Sequence, residues 1–159
     1  MSPGPQDYDR VDRHVLEDVE KHGWSDMHIF PVEGSEGEPW NYSVGLTQSC
    51  DHPELCIVGM RQDQAHQILW SAVTLIKDGA KLEPDTYVDR VIEQFPMAVL
   101  EVADVHRYDY PLSMATRLYG EVPANQLVWP DEEGKFPWQQ GFDERYREQQ
   151  VLLGTWRGD

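Results

Sequence analysis

Residues 40–46 alternate strictly between large apolar and small side chains, and this pattern constrains the fold more than any other segment. A period of two is typical of a β-strand whose two faces lie in different surroundings. One face would carry Trp40, Tyr42, Val44 and Leu46, and the other Asn41, Ser43 and Gly45. The small face leaves room for a close approach, either by a ligand or by a helix that packs on the sheet.

A continuous apolar run at residues 55–60 follows the polar loop 47–54 and predicts a buried central strand. We expect this strand and the strand at 40–46 to lie side by side as a hairpin with a long connection. Further strands are predicted at residues 27–32, 97–102 and 126–129. Residues 87–95 suit either a strand or a helix, and the prolines that flank them favour a strand.

The clearest helical pattern covers residues 62–78, where apolar residues recur on one helix face and Gly79 provides the end. The apolar residues of this face are Ala65, Ile68, Leu69, Ala72, Val73 and Ile76. A first helix with a narrow stripe of valines should end at Gly23. A short helix at residues 111–119 and a charged helical tail at residues 142–150 complete the prediction.

The order of these elements predicts an α+β fold with a mostly antiparallel sheet and helices packed on one side. Residues 1–6, rich in proline and glycine, would form a flexible lead, and residues 7–159 a single domain. The sequence shows no secretory signal, has two cysteines, and contains no apolar run long enough to span a bilayer. These features predict a cytoplasmic protein.

The chain has 13 basic and 29 acidic residues, a formal net charge of −16, and no basic cluster. Nucleic-acid binding relies on lysine and arginine side chains that displace counterions, so we expect neither DNA nor RNA as a partner. An anionic membrane surface would repel the chain for the same reason. The charge instead favours a basic protein or peptide, a cationic small molecule or a metal ion.

Several motifs occur together in a fixed order along the chain. They are Gly23-Trp24, the strand at 40–46, His52-Pro53-Glu54-Leu55, and the segments 126–131 and 134–138. In this order and spacing the chain resembles an uncharacterised bacterial family, domain of unknown function family 4262, over about residues 23–138. The family pattern usually reads Tyr-Thr-Val-Gly-Leu, and here Ser43 replaces the threonine while keeping the hydroxyl. The resemblance implies a shared fold and brings no established activity, so no catalytic residue follows from it.

The loop between the two central strands concentrates side chains that bind metals. They are Cys50, Asp51, His52, Glu54 and Cys56. Because imidazole and carboxylate groups are ligands of zinc and other transition metals, we predict a metal site formed by His52 and Glu54 with the distant His106. The alternative is that His52 and Glu54 hydrogen-bond the turn, and that Cys56 is a small core residue.

The histidines also suggest catalytic arrangements. Cys50 and His52 could form a nucleophile–base pair, although the neighbouring Asp51 favours a protonated thiol. His66, at the edge of the helical stripe, is a candidate for acid–base chemistry, as is His106 after a strand; either could also join a metal site. The sequence contains none of the motifs G-x-G-x-x-G, P-loop, H-E-x-x-H and G-x-S-x-G, which disfavours common nucleotide-dependent and hydrolase classes.

A turn rich in aromatic residues and proline runs from Trp129 to Trp138. Tryptophan and tyrosine are frequent in interface hot spots, so this turn could receive a partner or line a pocket. Alternatively, Trp129 and Trp138 fold back to cap the core. The residues predicted to bind a ligand or partner are Tyr42, Ser43, His52, Glu54, Trp129, Asp131 and Trp138.

The favoured function is a small acidic binding domain whose partner is a basic protein or peptide, for example in neutralising a basic toxin or assisting a biosynthetic pathway. The first alternative is a metal-dependent enzyme with histidine and glutamate ligands. The second is a small barrel that holds a flavin-type cofactor against the face formed by Asn41, Ser43 and Gly45.

Overall fold

The structure is a computed structural model that describes residues 10–29, 38–103 and 113–158. Its helices are α1 (Arg10–His22), α2 (Leu46–Cys50), α3 (Gln62–Lys77) and α4 (Ser113–Tyr119), with a 3-10 helix at Glu144–Tyr146. Its strands are β1 (Ser25–Ile29), β2 (Trp40–Val44), β3 (Glu54–Val58), β4 (Thr86–Val88), β5 (Met97–Glu101) and β6 (Ala124–Val128). The predicted flexible lead at residues 1–6 lies outside the described residues.

The six strands form one open sheet in the order β1-β2-β3-β6-β5-β4. Strands β3 and β6 are parallel, whereas the other neighbouring pairs are antiparallel. The register places Tyr42 of β2 opposite Cys56 of β3, which in turn lies opposite Gln126 of β6. This arrangement confirms the prediction of an α+β fold with a mostly antiparallel sheet.

One face of the sheet is covered by α3. The helix buries the six apolar residues that its periodicity predicted, and they pack with Leu55 and Ile57 of β3 and Leu127 of β6 in one cluster. Burial of a leucine or isoleucine side chain contributes about 1.5–3 kcal/mol, so this interface is a large stabilising contribution to the domain. It also holds α3 over β1 and β2, where the polar residues discussed below lie.

The opposite face of the sheet has its own apolar cluster. Tyr42, Val44 and Cys56 pack there with Val15 of α1 and Ala115 of α4. The sequence predicted helices on one side of the sheet. Helix α3 packs on one face, and α1 and α4 pack against the other face. Because both faces are covered, the central strands β2 and β3 are buried along their whole length.

Three segments differ from their predicted structure. Residues 46–50 form the short helix α2 rather than a loop, because a distant carboxylate stabilises the start of this helix. The strand predicted at 87–95 is limited to β4, since Arg90 adopts a left-handed conformation with φ of 71° that ends the extended run. The predicted helical tail contains one 3-10 turn at Glu144–Tyr146.

Glutamine side chains attach the C-terminal segment to the sheet. Gln126 of β6 donates to the Val151 carbonyl at 3.0 Å and accepts from the Leu153 amide at 2.8 Å. Gln150 accepts from the Trp129 amide at 2.8 Å and donates to the Trp129 carbonyl at 2.9 Å. These side-chain amides satisfy backbone groups as a neighbouring strand would, and so they fix the wall of a groove at the end of β6.

In the described part of the chain, none of the helices has the length and apolar character needed to cross a membrane.

Candidate functional site

Glu54, one of the predicted ligands, is fully buried and accepts hydrogen bonds from the segment that joins β2 to α2. The Ser43 hydroxyl donates to it at 2.7 Å, and the backbone N–H groups of Gly45, Leu46 and Thr47 donate at 3.1–3.2 Å. The Thr47 hydroxyl adds a fifth bond at 3.1 Å. The carboxylate therefore satisfies the free N–H groups that begin α2, a task usually performed by a local capping residue.

Burial and hydrogen bonding have opposite effects on the pKa of Glu54. Burial raises the pKa of Glu54, because the charged form loses its hydration. The hydrogen bonds from Ser43, Leu46 and Thr47 lower this pKa, but burial outweighs them and the net shift is upward. The pKa of Tyr119 on α4 is also raised, first by burial and then by the nearby Glu54 charge.

His52, the second predicted ligand, is buried and uses both ring nitrogens to hold the loop. Its Nδ1 donates to the Pro53 carbonyl at 2.8 Å, because a carbonyl oxygen can only accept. Its Nε2 accepts from the Leu82 amide at 3.1 Å. This pattern fixes the tautomer and connects the loop before β3 to the segment after α3.

The predicted metal site combined His52 and Glu54 with His106. Residue 106 lies outside the described residues, so the complete set stays a prediction. Across residues 10–29, 38–103 and 113–158, no group of three or more histidine, cysteine, aspartate or glutamate side chains could hold a metal ion. The lone pairs of His52 and Glu54 are engaged by N–H and O–H donors of the chain itself.

The two cysteines differ in their surroundings. Cys56 is fully buried in β3, and burial raises the pKa of its thiol to about 12. Cys50, at the end of α2, is partly exposed, and its Sγ lies 3.4 Å from the Ser49 hydroxyl oxygen. The two thiols are free.

Alkylation should distinguish these two thiols. We expect iodoacetamide at about pH 8 to modify Cys50 in the native protein and to leave Cys56 unmodified, because only the exposed thiolate reacts. Mass spectrometry of proteolytic peptides measures both sites, and protein unfolded in urea, in which both thiols should react, is the control. Equal modification of Cys56 and Cys50 in the native protein would contradict the buried position of Cys56.

The small face of β2 is filled by the protein. Asn41 and Ser43 are fully buried, and α3 packs over this side of the sheet. A Cβ atom on Gly45 would lie 2.8 Å from a methyl group of Val19, so this glycine allows α1 to approach closely. Side chains of α3, and of α1 from the opposite face, therefore occupy the room that the sequence pattern left for a ligand, and Asn41, Ser43 and Gly45 do not offer the open face that the flavin hypothesis required.

Tyr42 and Trp138 hold neighbouring segments in place. Tyr42 is fully buried, and its hydroxyl accepts from the Met114 amide of α4 at 2.9 Å. Trp138 stacks between Phe136, at 5.3 Å between ring centroids, and Trp156, at 4.3 Å. This stack connects the turn after β6 to the C-terminal segment and leaves Trp138 half-buried.

Trp129 and Asp131 shape the turn that follows β6, and both are buried. The Trp129 indole N–H donates to the Val58 carbonyl at 2.9 Å. Asp131 accepts from the backbone amides of Glu133, Lys135 and Asp143 at 2.8–2.9 Å. Burial acts to raise the pKa of Asp131, but these three N–H groups outweigh burial and hold the pKa below its ordinary value.

A groove of about 620 Å³ lies at this end of the sheet, and we call it the acidic groove. Its apolar walls include rings of Phe95, Trp129 and Tyr146, and its carboxylates are Glu38, Asp131 and Glu132. The Tyr146 hydroxyl donates to Glu132 Oε1 at 2.9 Å and so orients that exposed carboxylate. Arg61 also lines the groove, with its Nε 3.6 Å from a carboxylate oxygen of Asp63. The groove therefore combines apolar walls with an excess of negative charge.

Four polar side chains under α3 contact one another in a chain, which the sequence predicted only in part. His66 Nδ1 lies 2.7 Å from Asp26 Oδ2, and Asp26 Oδ1 accepts from the Asn41 side-chain amide at 2.9 Å. The amide oxygen of Asn41 contacts His28 Nδ1. The sequence pointed to His66 as a candidate but gave no prediction for Asp26. Its signal is the period of two in β1, which places Asp26 and His28 on the same face.

The fold and its two covered faces define the chain as an acidic α+β domain built on an open six-stranded sheet. The family model for the domain of unknown function DUF4262 matches residues 18–143. This match covers most of the chain, which therefore belongs to the DUF4262 family. No curated protein and no solved structure matches the chain significantly.

Proposed function

We propose that the domain binds a lysine- or arginine-containing segment of a basic protein in the acidic groove. The observation that carries this proposal is the combination of ring-lined walls with the carboxylates of Glu38, Asp131 and Glu132 in one groove. The methylene stem of a long basic side chain packs on apolar walls while its charged head reaches an outer carboxylate. Aromatic rings add a favourable interaction with the cation itself.

Electrostatic attraction favours a cationic partner both at long range, through the net charge, and at short range, within the acidic groove. The net charge of −16 attracts basic proteins over a range of about 8–10 Å in physiological salt. Within the groove, Glu132 is exposed and oriented by Tyr146, so it can meet a guanidinium or ammonium group with little loss of side-chain entropy. Asp131, whose carboxylate oxygens are bonded to the turn, contributes negative charge to the wall.

Binding of an acetylated hexa-arginine amide, followed by calorimetry, tests this proposal. We expect the affinity to fall as salt increases, and Glu132→Gln to weaken binding by about two- to fivefold because it removes one oriented charge. The matched control is Glu20→Gln, which removes the same charge from the exposed surface of α1 and should leave the affinity nearly unchanged.

Two outcomes would contradict the proposal. Equal weakening by Glu20→Gln and Glu132→Gln would show that only the overall charge attracts the peptide. Spermine serves as a cationic small molecule in the same assay, and an affinity for spermine equal to that for the peptide would contradict a peptide site.

A further inference from the structure

A second groove, of about 1330 Å³, lies between α3 and the segment 89–96, and we call it the helical groove. His66, Trp70 and Arg90 are among its lining residues, together with the apolar side chains of Ile68 and Val91. Trp70 is 56% exposed, the highest exposure among the large hydrophobic residues in the described part of the chain. The groove therefore offers an apolar surface, an imidazole and a cation in one place.

His66 is held in one orientation and one tautomer. Its ring stacks on Trp24 with an interplanar angle of 16°, and its Nδ1 donates to the Asp26 carboxylate, which can only accept. The lone pair of the neutral ring is therefore on Nε2, and no described residue hydrogen-bonds this atom. Asn41 holds Asp26 from its other oxygen. A base whose ring is oriented by a second, hydrogen-bonded group is the arrangement used for proton transfer in catalysis.

The polar chain is costly for the fold, which argues that it has a further role. Asn41 is fully buried and the Asp26 side chain is 12% exposed, so both lose most of their hydration. Apolar residues of similar size would fill this layer between α3 and β2 without that loss. Arg90 is exposed at the helical groove, and no described carboxylate lies within ion-pairing distance of it.

We propose that the helical groove is a hydrolytic site for carboxylic esters with an apolar acyl group, and that His66 is its general base. The acyl group packs against Trp70 and Ile68. His66 Nε2 takes a proton from a water molecule as the water oxygen forms a bond to the ester carbon, and Arg90 stabilises the negative oxygen that develops.

The step balances without any oxidant, reductant or cofactor. The bond between the carbonyl carbon and the ester oxygen breaks, and His66 returns its proton to the leaving alkoxide. The products are a carboxylic acid and an alcohol. Asp26 keeps its hydrogen bond to Nδ1 and acts as a positioning residue that stabilises the protonated ring of His66.

Hydrolysis of 4-nitrophenyl butyrate by the full-length protein tests this proposal. We expect saturable hydrolysis, a loss of about 100-fold in kcat for His66→Gln, and a lower kcat with an unchanged KM for Asp26→Asn. Added imidazole should restore activity to His66→Ala, which a purely structural role of His66 does not predict. His14→Gln is the matched control, because His14 is an exposed helical histidine that also faces an aspartate, at 3.4 Å, and its removal should not change the rate.

Three results would overturn the proposal. The first is a wild-type rate no higher than that of free imidazole at the same concentration. The second is equal activity of His66→Gln and wild type, and the third is an equal loss for His14→Gln. Arg90→Gln provides an independent variant on an exposed segment, so if the His66 variants fail to fold, an unchanged kcat for Arg90→Gln also overturns the proposal.

Discussion

Glu54→Ala is expected to lower the free energy of unfolding by about 3–5 kcal/mol, because it leaves a group of buried donors without their acceptor. Those donors are the Ser43 hydroxyl, the hydroxyl and amide of Thr47, and the amides of Gly45 and Leu46. Urea unfolding followed by tryptophan fluorescence measures the loss. A smaller loss is expected for Glu54→Gln, which keeps one acceptor oxygen.

The control for this substitution is Glu20→Ala, on the exposed surface of α1. It should change the free energy of unfolding by less than about 0.5 kcal/mol. A comparable loss in both variants would mean that Glu54 acts only through the overall charge. A loss for Glu54→Ala as small as that of the control would contradict its role in holding the start of α2.

The raised pKa of Glu54 also determines how the free energy of unfolding should change with pH. Because the pKa of Glu54 is raised in the folded state, the folded protein binds a proton that the unfolded chain has released. The stabilising contribution is complete below the ordinary value of 4.5 and is lost as the pH rises through the folded-state pKa. The stability advantage of wild type over Glu54→Gln should therefore shrink as the pH rises from 4.5 through the raised pKa of Glu54. An advantage that grows with pH would show that the hydrogen bonds outweigh burial.

Gly59→Ala is expected to cost about 3–5 kcal/mol, since steric overlap adds to backbone strain. A Cβ atom at this position would lie 2.1 Å from the carbonyl oxygen of Gln149, and the backbone has a φ of 82°. The Gln149 side chain also donates to the Gly59 carbonyl at 2.8 Å. The substitution should push the C-terminal segment away from the acidic groove, which both residues line.

Gly141→Ala separates the two costs. Gly141 has a similar φ of 91°, but a Cβ atom there would meet nothing within 4 Å. The free energy of unfolding of this variant, measured by urea unfolding, should fall by only about 1–2 kcal/mol, which is the cost of placing an alanine in the left-handed conformation. Equal losses in the two variants would contradict the close contact between Gly59 and Gln149.

Local patterns were sufficient to predict the helix α3 and the strands β2 and β3. The six apolar residues of α3 are buried as the helical spacing requires. The end of β2 was placed too late because Leu46 continues the alternation, although it already belongs to α2. What begins α2 is the carboxylate of Glu54, eight residues after Leu46, and no local pattern contains that interaction.

The sequence located the polar residues around His52 and Glu54 and left two roles open for them, a metal site and hydrogen bonds that hold the turn. Their residue types suit metal ions, but in the structure His52 bonds backbone groups of Pro53 and Leu82, and Glu54 accepts from amides and hydroxyls at the start of α2. The pair of His66 and Asp26 joins residues 40 positions apart, so it depends on α3 crossing over β1. The acidic groove likewise unites Glu38, Phe95 and Glu132, which only the folded chain brings together.

The most direct test of the acidic groove is a titration of the nitrogen-15-labelled protein with the acetylated hexa-arginine amide, followed by amide chemical shifts. We predict that the largest shifts occur at the amides of Gly59, Arg61 and Glu132 and at the indole N–H of Trp129, which line this groove. Shifts concentrated on α1 or α4, or spread evenly over the acidic surface, would contradict a peptide site at the end of β6.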